Sequence, residues 1–420
     1  MENQNLYPTN KQNIESISRE LTESKKQKEK LKKALLEVFP VNLYRQIKEL
    51  PEAYNEDHKV IDHFINHGID EMNFKEIIKE NINYLGLDIP RNQYHQIEEA
   101  AKLITLELTE SREREKERAL KASAGCLRDS GIMNMTKLNN HSEIEGERIL
   151  LKTQGNPANL CENASYQFAV SHTKVHYKSN SVCTWIPKNA CSNIRCSIAI
   201  ANGAIASVDE IEWIHANNDC FVASTKEILE AKFTFIILRN PFKRLLSFFL
   251  DKLCHADDPQ SDISYQIAKD VFEFDSSMSF EDFINHIWEY PHTIYEDEHT
   301  RPQTDFILYR NYDKYYAIEK LGEALEEINA KTGLEIYDTR NKNTIYTTKG
   351  HDSDPGITFE NKAAEIKNLY DLKKTPIAKN MYDAEMIKKV AAIYLQDILL
   401  YASRIPEGMS ELNYWVQRAF

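Results

Sequence analysis

Glycine is scarce in this chain, and its cysteines show no pairing pattern. Only 12 of the 420 residues are glycine, about 3% against the usual ~7%, which excludes glycine-rich repeats and favours helices. The 7 cysteines are odd in number and contain no Cys-x-x-Cys pair. We therefore expect neither a disulfide framework nor a zinc ribbon. We expect free thiols in a reducing compartment instead.

Long apolar runs and an excess of positive charge are missing as well. No stretch approaches the ~18 apolar residues that cross a bilayer, and residues 1–33 lack the apolar segment of a signal peptide. We therefore expect a cytoplasmic protein with no transmembrane segment. The 52 Lys and Arg residues against 65 Asp and Glu residues give a net charge of −13, which argues against nucleic acid or an anionic membrane as a partner. A local basic pocket for one anionic ligand is compatible with that balance.

Composition and periodicity divide the chain into five segments. Residues 1–10 are predicted to be a disordered tail, 11–122 a helical accessory region, and 123–170 a linker or loop-rich entry. Residues 171–405 show an α/β pattern, and 406–420 are predicted to be a C-terminal tail. The predicted fold class is α/β, with a P-loop-like parallel sheet flanked by helices and an N-terminal all-helical region. Homo-oligomerisation through the N-terminal helices is a further hypothesis.

The first motif that carries chemistry lies between a short apolar strand at 182–186 and a predicted helix. It consists of one lysine among small and polar residues: Pro187, Lys188, Asn189, Ala190, Cys191, Ser192 and Asn193. Backbone N–H groups at such a turn bind anions together with the helix N-terminus, and the lysine adds a full charge. The pattern G-x-x-x-x-G-K-[ST] is absent, which disfavours ordinary nucleoside triphosphatase chemistry. Taken alone, the segment is also compatible with a plain turn that carries a surface lysine.

The second motif follows a continuous apolar run at 233–238, which is typical of a central parallel strand. Arg239 stands at the end of this strand, where open α/β sheets bind their ligands. A helix is predicted to begin there, with Asn240 as its N-cap and Pro241 at its first position. Ser247 lies on the polar side of that helix, four residues after Lys243. Taken alone, this polar side is also compatible with a solvated helix face.

Together the two motifs resemble those of the carbohydrate sulfotransferases. Segment 185–193 is similar to the family's loop for the 5′-phosphosulfate of the donor PAPS (3′-phosphoadenosine 5′-phosphosulfate), and segment 235–249 is similar to its 3′-phosphate site. Four later segments also resemble the family: the His-x-x-Pro-Gln segment 298–303, the strand and helix 315–325, the Asn-containing loop 341–348 and the Tyr-x-x-Asp helix 393–397.

The resemblance implies a donor, an acceptor class and a set of site residues. The donor is PAPS, the acceptor is a hydroxyl of a saccharide or glycoconjugate, and no metal is required. Lys188 is expected to contact the bridging oxygen of the leaving phosphate, and residues 187–193 to surround that phosphate. Arg239 and Ser247 are expected to bind the 3′-phosphate. A fixed cation and oriented N–H groups suit an in-line transfer, because new negative charge develops on the leaving phosphate oxygen.

The base that accepts the proton of the acceptor hydroxyl is left open between several residues. His215 lies between the two donor motifs, and His299 belongs to the His-x-x-Pro-Gln segment. A carboxylate, Glu296 or Glu298, is the alternative, as is the absence of a dedicated base. Imidazole suits proton transfer near neutral pH.

Two other functions are compatible with the sequence. One is a P-loop-like phosphotransferase that uses a nucleoside triphosphate, which a Mg²⁺ requirement would favour. The other is a non-catalytic helical interaction protein with a degenerate nucleotide pocket. The presence of Lys188, Arg239 and Ser247 together argues against such degeneration.

Overall fold

The computed structural model describes most of the chain after residue 112. The described residues are 113–114, 116–128, 148–153, 160, 162–254, 267–339 and 350–419. The chain divides into two compact units, Met1–Arg118 and Ala119–Phe420. The predicted tail 1–10, almost all of the predicted helical region 11–122 and the loop 341–348 lie outside the described residues.

A four-stranded sheet with the order β1-β2-β3-β4 forms the centre of the second unit. Its strands are β1 (Thr173–His176), β2 (Ser181–Thr184), β3 (Phe233–Leu238) and β4 (Lys314–Ala317). Strand β1 is antiparallel to β2, whereas β2, β3 and β4 are mutually parallel. This arrangement confirms the predicted α/β class. Since Thr184 pairs with Ile236 in the register, β2 and β3 deliver their following loops to the same edge of the sheet.

Eleven labelled helices, all in the described part of the chain, surround this sheet and a second, two-stranded parallel one. They are α1 (Ala164–Ser171), α2 (Cys191–Ala201), α3 (Trp213–Ala216), α4 (Thr225–Glu230), α5 (Pro241–Phe248), α6 (Phe280–Glu289), α7 (Leu321–Thr332), α8 (Ala363–Asp371), α9 (Ala384–Ile393), α10 (Leu395–Arg404) and α11 (Met409–Gln417). The small sheet pairs β5 (Asp352–Asp354) with β6 (Lys374–Pro376).

Helix α5 begins as its sequence predicts. The Asn240 side chain accepts a hydrogen bond from the Phe242 N–H, and Pro241 occupies the first helical position. The chain then continues through a π-helical turn, Phe249–Leu253. The apolar face of α5 and of this turn is buried in the main core: Phe242, Leu245, Leu246, Phe249, Leu250 and Leu253.

Two segments differ from their predictions because tertiary packing decides them. The tail predicted at 406–420 contains α11, and its Trp415 is fully buried beside Phe242, with ring centroids 5.4 Å apart. The entry predicted at 123–170 contains helical residues up to 128 and helix α1. Leu127 is 0% exposed and packs in the main core. Both segments therefore contribute to the main core, and the prediction of a tail at 406 is wrong.

Candidate active site

The loop between β2 and α2 has a tightly turned backbone. Lys188 and Ala190 both adopt left-handed conformations, with φ of 69° and 59°. Ala190 stands in the N-cap position of α2 and has no side chain that could cap it. The first N–H groups of an α-helix find no acceptor within the helix, so those of Cys191, Ser192 and Asn193 suit an anion in front of the loop.

The Lys188 side chain points back to the turn that follows α5. Its Nζ lies 2.6 Å from Asp251 Oδ2, and the two side chains are only 12% and 15% exposed. Burial lowers the pKa of Lys188, and the charge of Asp251 partly offsets this. Burial alone would raise the pKa of Asp251, but the charges of Lys188, Lys252 and His299 lower it to about 2. Lys188 and Asp251 therefore form a buried ion pair.

Asn189 anchors the loop to the sheet. It is 2% exposed, and its Nδ2 donates to the Ile237 carbonyl at 2.9 Å and to Gln303 Oε1 at 2.7 Å. Asn193 is turned to another neighbour, because its Oδ1 accepts from the Thr339 hydroxyl at 2.7 Å. The side chains of Asn189 and Asn193 thus hold the loop in place, and the first N–H groups of α2 are left to face a ligand.

Arg239 connects the two motifs. Its Nη1 donates to the Lys188 carbonyl oxygen at 2.8 Å. Gln303 fixes the Arg239 backbone on both sides, accepting from its N–H at 3.0 Å and donating to its carbonyl at 2.9 Å. The structure therefore brings the predicted 5′-phosphate loop and the predicted 3′-phosphate arginine into direct contact.

The two serines of the predicted site have unused hydroxyl groups. Ser192 is half-buried at the start of α2, and Ser247 is half-buried near the end of α5. Neither hydroxyl has a hydrogen-bond partner among the residues that the structure describes. Both are available to donate to a bound phosphate.

Arg244 is a buried cation on α5. It is 3% exposed, and its three nitrogens donate to the carbonyls of Pro187, Arg301 and Glu298 at 3.2, 2.8 and 3.3 Å. Arg244 thereby ties the phosphate loop to the segment that contains His299. No signal in the sequence distinguishes this arginine from an exposed one.

His299 is held by an acidic neighbour two residues before it. Its Nδ1 lies 2.9 Å from Asp297 Oδ1, and the imidazole is 22% exposed. Burial alone would raise the pKa of Asp297, but the hydrogen bonds and charge of His299 lower it. With Nδ1–H donated to Asp297, Nε2 carries the lone pair, which is the arrangement that a general base needs. The charge of His299 also contributes to the lowered pKa of Asp251, the partner of Lys188.

The other candidate bases lie in different surroundings. His215 is exposed on α3. Helix α3 packs along α2, and Arg195 of α2 donates to the Ile214 carbonyl of α3 at 2.5 Å. Glu298 Oε2 lies 3.2 Å from His172 Nε2. Burial alone would raise the pKa of Glu298, but the hydrogen bond with His172 and the charges of His172 and His299 together outweigh burial and lower the pKa. Glu296 is exposed and lies 3.8 Å from His292. Of the candidates, His299 has the contacts that best suit a base beside the loop.

Helix α10 contributes a buried carboxylate that holds the turn beginning at Gln303. Asp397 is 1% exposed and accepts from the N–H groups of Gln303 and Thr304 at 2.7 and 3.0 Å. Burial raises the pKa of Asp397, and the charge of Arg244 opposes this. The carboxylate fixes the start of the turn that carries Gln303, and Gln303 in turn orients Asn189 and Arg239.

Two negative findings concern only the described part of the chain. Within it, no group of three or more His, Cys, Asp or Glu side chains is placed to hold a metal ion. None of the helices described there combines the length and the apolar character that crossing a membrane requires.

Comparison with known proteins assigns the domain. The model of the sulfotransferase family matches residues 171–402, more than half of the chain. The chain belongs to the sulfotransferase family. This match covers nearly the whole of the domain predicted at 171–405, and it includes the loop after β2, Arg239, Ser247 and His299.

A curated relative of this sulfotransferase is carbohydrate sulfotransferase 10 of Xenopus laevis. The two are 27% identical over 158 residues, which cover 33% of this chain and 44% of the relative. The match thus spans less than half the length of that relative. No solved structure matches the chain. Membership in the sulfotransferase family implies a sulfate donor, and the loop before the uncapped start of α2 is the part of the structure suited to hold it.

Proposed function

We propose that this sulfotransferase transfers the sulfuryl group of PAPS to a hydroxyl of a saccharide or glycoconjugate. The observation that carries the proposal is the 2.8 Å contact from the Arg239 guanidinium to the Lys188 carbonyl, which joins the two donor motifs. The name of the Xenopus laevis relative supports a saccharide as the acceptor.

The residues present fit a nucleotide donor with two phosphate-bearing ends. The uncapped start of α2, the Ser192 hydroxyl and Lys188 suit the 5′ end, and Arg239 with Ser247 suits a 3′-phosphate. Arg195 adds a buried charge on α2, and its Nε has no partner in the described part of the chain. When bound, PAPS supplies the sulfuryl group and a phosphate leaving group.

Each residue has one task in the proposed reaction. Lys188 stabilises the negative charge that develops on the leaving phosphate oxygen. The N–H groups at the start of α2 orient that phosphate for in-line displacement. His299 accepts the proton of the acceptor hydroxyl at Nε2, and Asp297 stabilises the imidazolium through Nδ1.

The test is sulfuryl transfer from radiolabelled PAPS to a panel of neutral and acidic saccharides. Lys188→Ala is expected to reduce turnover by about 10²–10³-fold, because one preorganised charge partner is lost. Lys226→Ala is the matched control, since Lys226 is 79% exposed and lies on α4. Circular dichroism and the midpoint of thermal unfolding show whether both variants are folded.

Two further measurements, phosphate transfer from ATP and binding of PAP, separate the alternatives. Transfer of phosphate from ATP that stops in EDTA and resumes with Mg²⁺ would favour the phosphotransferase. Binding of PAP, the desulfated product of PAPS, without turnover on any acceptor would favour a non-catalytic protein. Near-normal sulfuryl transfer by a folded Lys188→Ala chain would refute the role of Lys188. The cytoplasmic location and the homo-oligomer remain predictions.

A further inference from the structure

Asp251 belongs to neither donor motif as the sequence defines them, yet it makes the closest polar contact of Lys188. It lies in the π-helical turn Phe249–Leu253, one helical turn after Ser247. Its Oδ2 is 2.6 Å from Lys188 Nζ and 3.7 Å from Lys252 Nζ. With side-chain exposures of 12%, 15% and 18%, these three groups form a largely desolvated cluster.

The other charged and titratable groups around this cluster come from three elements. Cys191 at the start of α2 acts on the charge of Lys188. The guanidinium of Arg239 reaches the Lys188 carbonyl. The charge of His299, whose Nδ1 lies 2.9 Å from Asp297 Oδ1, acts on Asp251 from the segment before Gln303. In this mostly cationic surrounding, Asp251 is the carboxylate in direct contact with Lys188.

The physical need for such a carboxylate follows from burial. Removal of water penalises the charged form of a lysine, and the neighbouring Lys252 adds to that penalty. A neutral amine could not stabilise charge on a leaving phosphate. A carboxylate in contact offsets both effects, and it also fixes the direction of a flexible four-carbon side chain.

We propose that Asp251 is a positioning residue of the proposed sulfuryl transfer, which holds Lys188 in the loop and keeps its amine protonated for the leaving phosphate. The inference rests on the proposed function of Lys188. On this inference, the anion site consists of the loop after β2, the Lys188 amine and the supporting carboxylate of Asp251. Asp251 itself touches neither donor nor acceptor.

The test compares the pH dependence of PAP affinity in the wild-type chain and in Asp251→Asn. Between about pH 6 and about pH 8, we expect the variant to lose about tenfold in affinity relative to wild type, because its Lys188 gives up its proton at lower pH. Titration of the ligand's own phosphates is common to both proteins and cancels in the ratio. The alkaline limb of kcat/KM for sulfuryl transfer should move in the same direction.

Two control chains isolate the cause. Asp313→Asn removes the carboxylate of another 2.6 Å ion pair, with Arg148, at the amino-terminal side of β4, and its pH profile should match wild type. In a Lys188→Arg background the cation does not titrate, so adding Asp251→Asn should leave the pH profile of PAP affinity unchanged. A merely structural role of Asp251 would lower affinity equally at all pH values in both backgrounds.

Each outcome is decisive. If wild type does not bind PAP, the proposed function fails. If wild type binds PAP and Asp251→Asn follows the same pH profile, the inference alone is overturned. Should Asp251→Asn not fold, Asp251→Ser removes the charge and leaves space for water. The pH dependence of Lys188 acylation, read by mass spectrometry, compares wild type with the folded variant directly: a lower midpoint in the variant supports the inference, and equal midpoints overturn it.

Discussion

The hydroxyl of Ser247 and the guanidinium of Arg239 lead to a prediction about nucleotide selectivity. Both are expected to bind a 3′-phosphate, and charge-assisted hydrogen bonds contribute about 1.5–3 kcal/mol each. Two such contacts correspond to roughly two to four decades of preference for PAP over AMP. Ser247→Ala should reduce this preference by about one to two decades and leave AMP binding unchanged, since AMP lacks the group that the hydroxyl binds.

Calorimetric affinities for PAP and AMP check this prediction. Arg239→Ala should reduce the preference further than Ser247→Ala. Arg239→Ala should also weaken the binding of AMP slightly, because the Arg239 guanidinium donates to the Lys188 carbonyl and so supports the loop. Ser403→Ala is the matched control, as Ser403 is an exposed serine near the end of α10. Equal binding of PAP and AMP by wild type would remove the 3′-phosphate site from this chain.

The Lys188–Asp251 pair also predicts how stability depends on pH. The pKa of Asp251 in the folded chain is lowered to about 2, below the ordinary 3.8 of an aspartate, chiefly by the charge of Lys188. A depressed pKa contributes stability above the unfolded value and loses it as the pH falls through the folded value. Between about pH 4 and about pH 2, wild type should therefore lose about 2 kcal/mol more than Asp251→Asn.

Urea unfolding at several pH values measures the difference between these two chains. The variant should be the less stable chain at neutral pH, because Lys188 is then buried without its partner. The two stabilities should converge as the pH is lowered. Parallel curves over the whole acid range would show that Asp251 keeps an ordinary pKa in the folded chain.

The residues that sequence reasoning missed are those whose partners are distant in the chain. Lys188, Arg239 and Ser247 could be predicted because each occupies a set position after a strand or on a helix. Arg244 and Gln303 could not, since their contacts join segments more than 50 residues apart, such as Arg244 to Pro187 and Gln303 to Asn189. Burial of an arginine depends on the carbonyl groups that surround it, which no local pattern specifies.

At the scale of elements, strong local signals predicted β3 and α5 well. An apolar β-branched run, an asparagine cap and a proline at the first helical turn all agree there. Near the end of the chain, by contrast, the structure has two helices, α9 and α10, which meet at Tyr394. Tyr394 leaves the helical path, and its hydroxyl donates to the Thr300 carbonyl at 2.7 Å, a tertiary contact that periodicity does not reveal.

The turn between α10 and α11 depends on the absence of a side chain at Gly408. A Cβ there would lie 2.5 Å from a ring carbon of Tyr401, which is fully buried and hydrogen-bonded to Glu319. Gly408→Ala should therefore destabilise the protein by about 1–3 kcal/mol. Gly322→Ala is the matched control: it lies in α7 with no atom within 4 Å of the added Cβ, and it should stabilise by up to ~1 kcal/mol.

Chemical unfolding of the two glycine variants gives the comparison directly. The two changes add the same methyl group, so opposite signs would isolate the effect of the Tyr401 contact. A Gly408→Ala chain as stable as wild type would mean that Tyr401 moves aside at little cost.

At the scale of the whole molecule, the boundary of the catalytic unit lies before the family match. The sequence predicts a domain that begins at 171, but the compact unit begins at Ala119. The Arg148 guanidinium pairs with Asp313 at 2.6 Å, and the Arg310 N–H donates to the Ile149 carbonyl at 2.8 Å. Residues 148 and 149 and helix α1, which lie in a region of loop-like composition, are thus fixed to the core by a few specific contacts.

This boundary predicts which shortened chains fold. A chain of residues 119–420 keeps Leu127, Tyr166 and the Arg148 pair, so it should retain the thermal stability and PAP affinity of that unit. A chain of residues 171–420 loses Leu127 and Tyr166, which are 0% and 2% exposed, at about 1.5–3 kcal/mol for each buried side chain. Since small domains are stable by only about 5–15 kcal/mol, the shorter chain should unfold at a markedly lower temperature or be insoluble. Thermal unfolding with and without PAP compares the two, with the full chain as reference. If both shortened chains unfold at the same temperature and bind PAP equally, residues 119–170 are dispensable and the catalytic unit begins at the boundary that the sequence predicts.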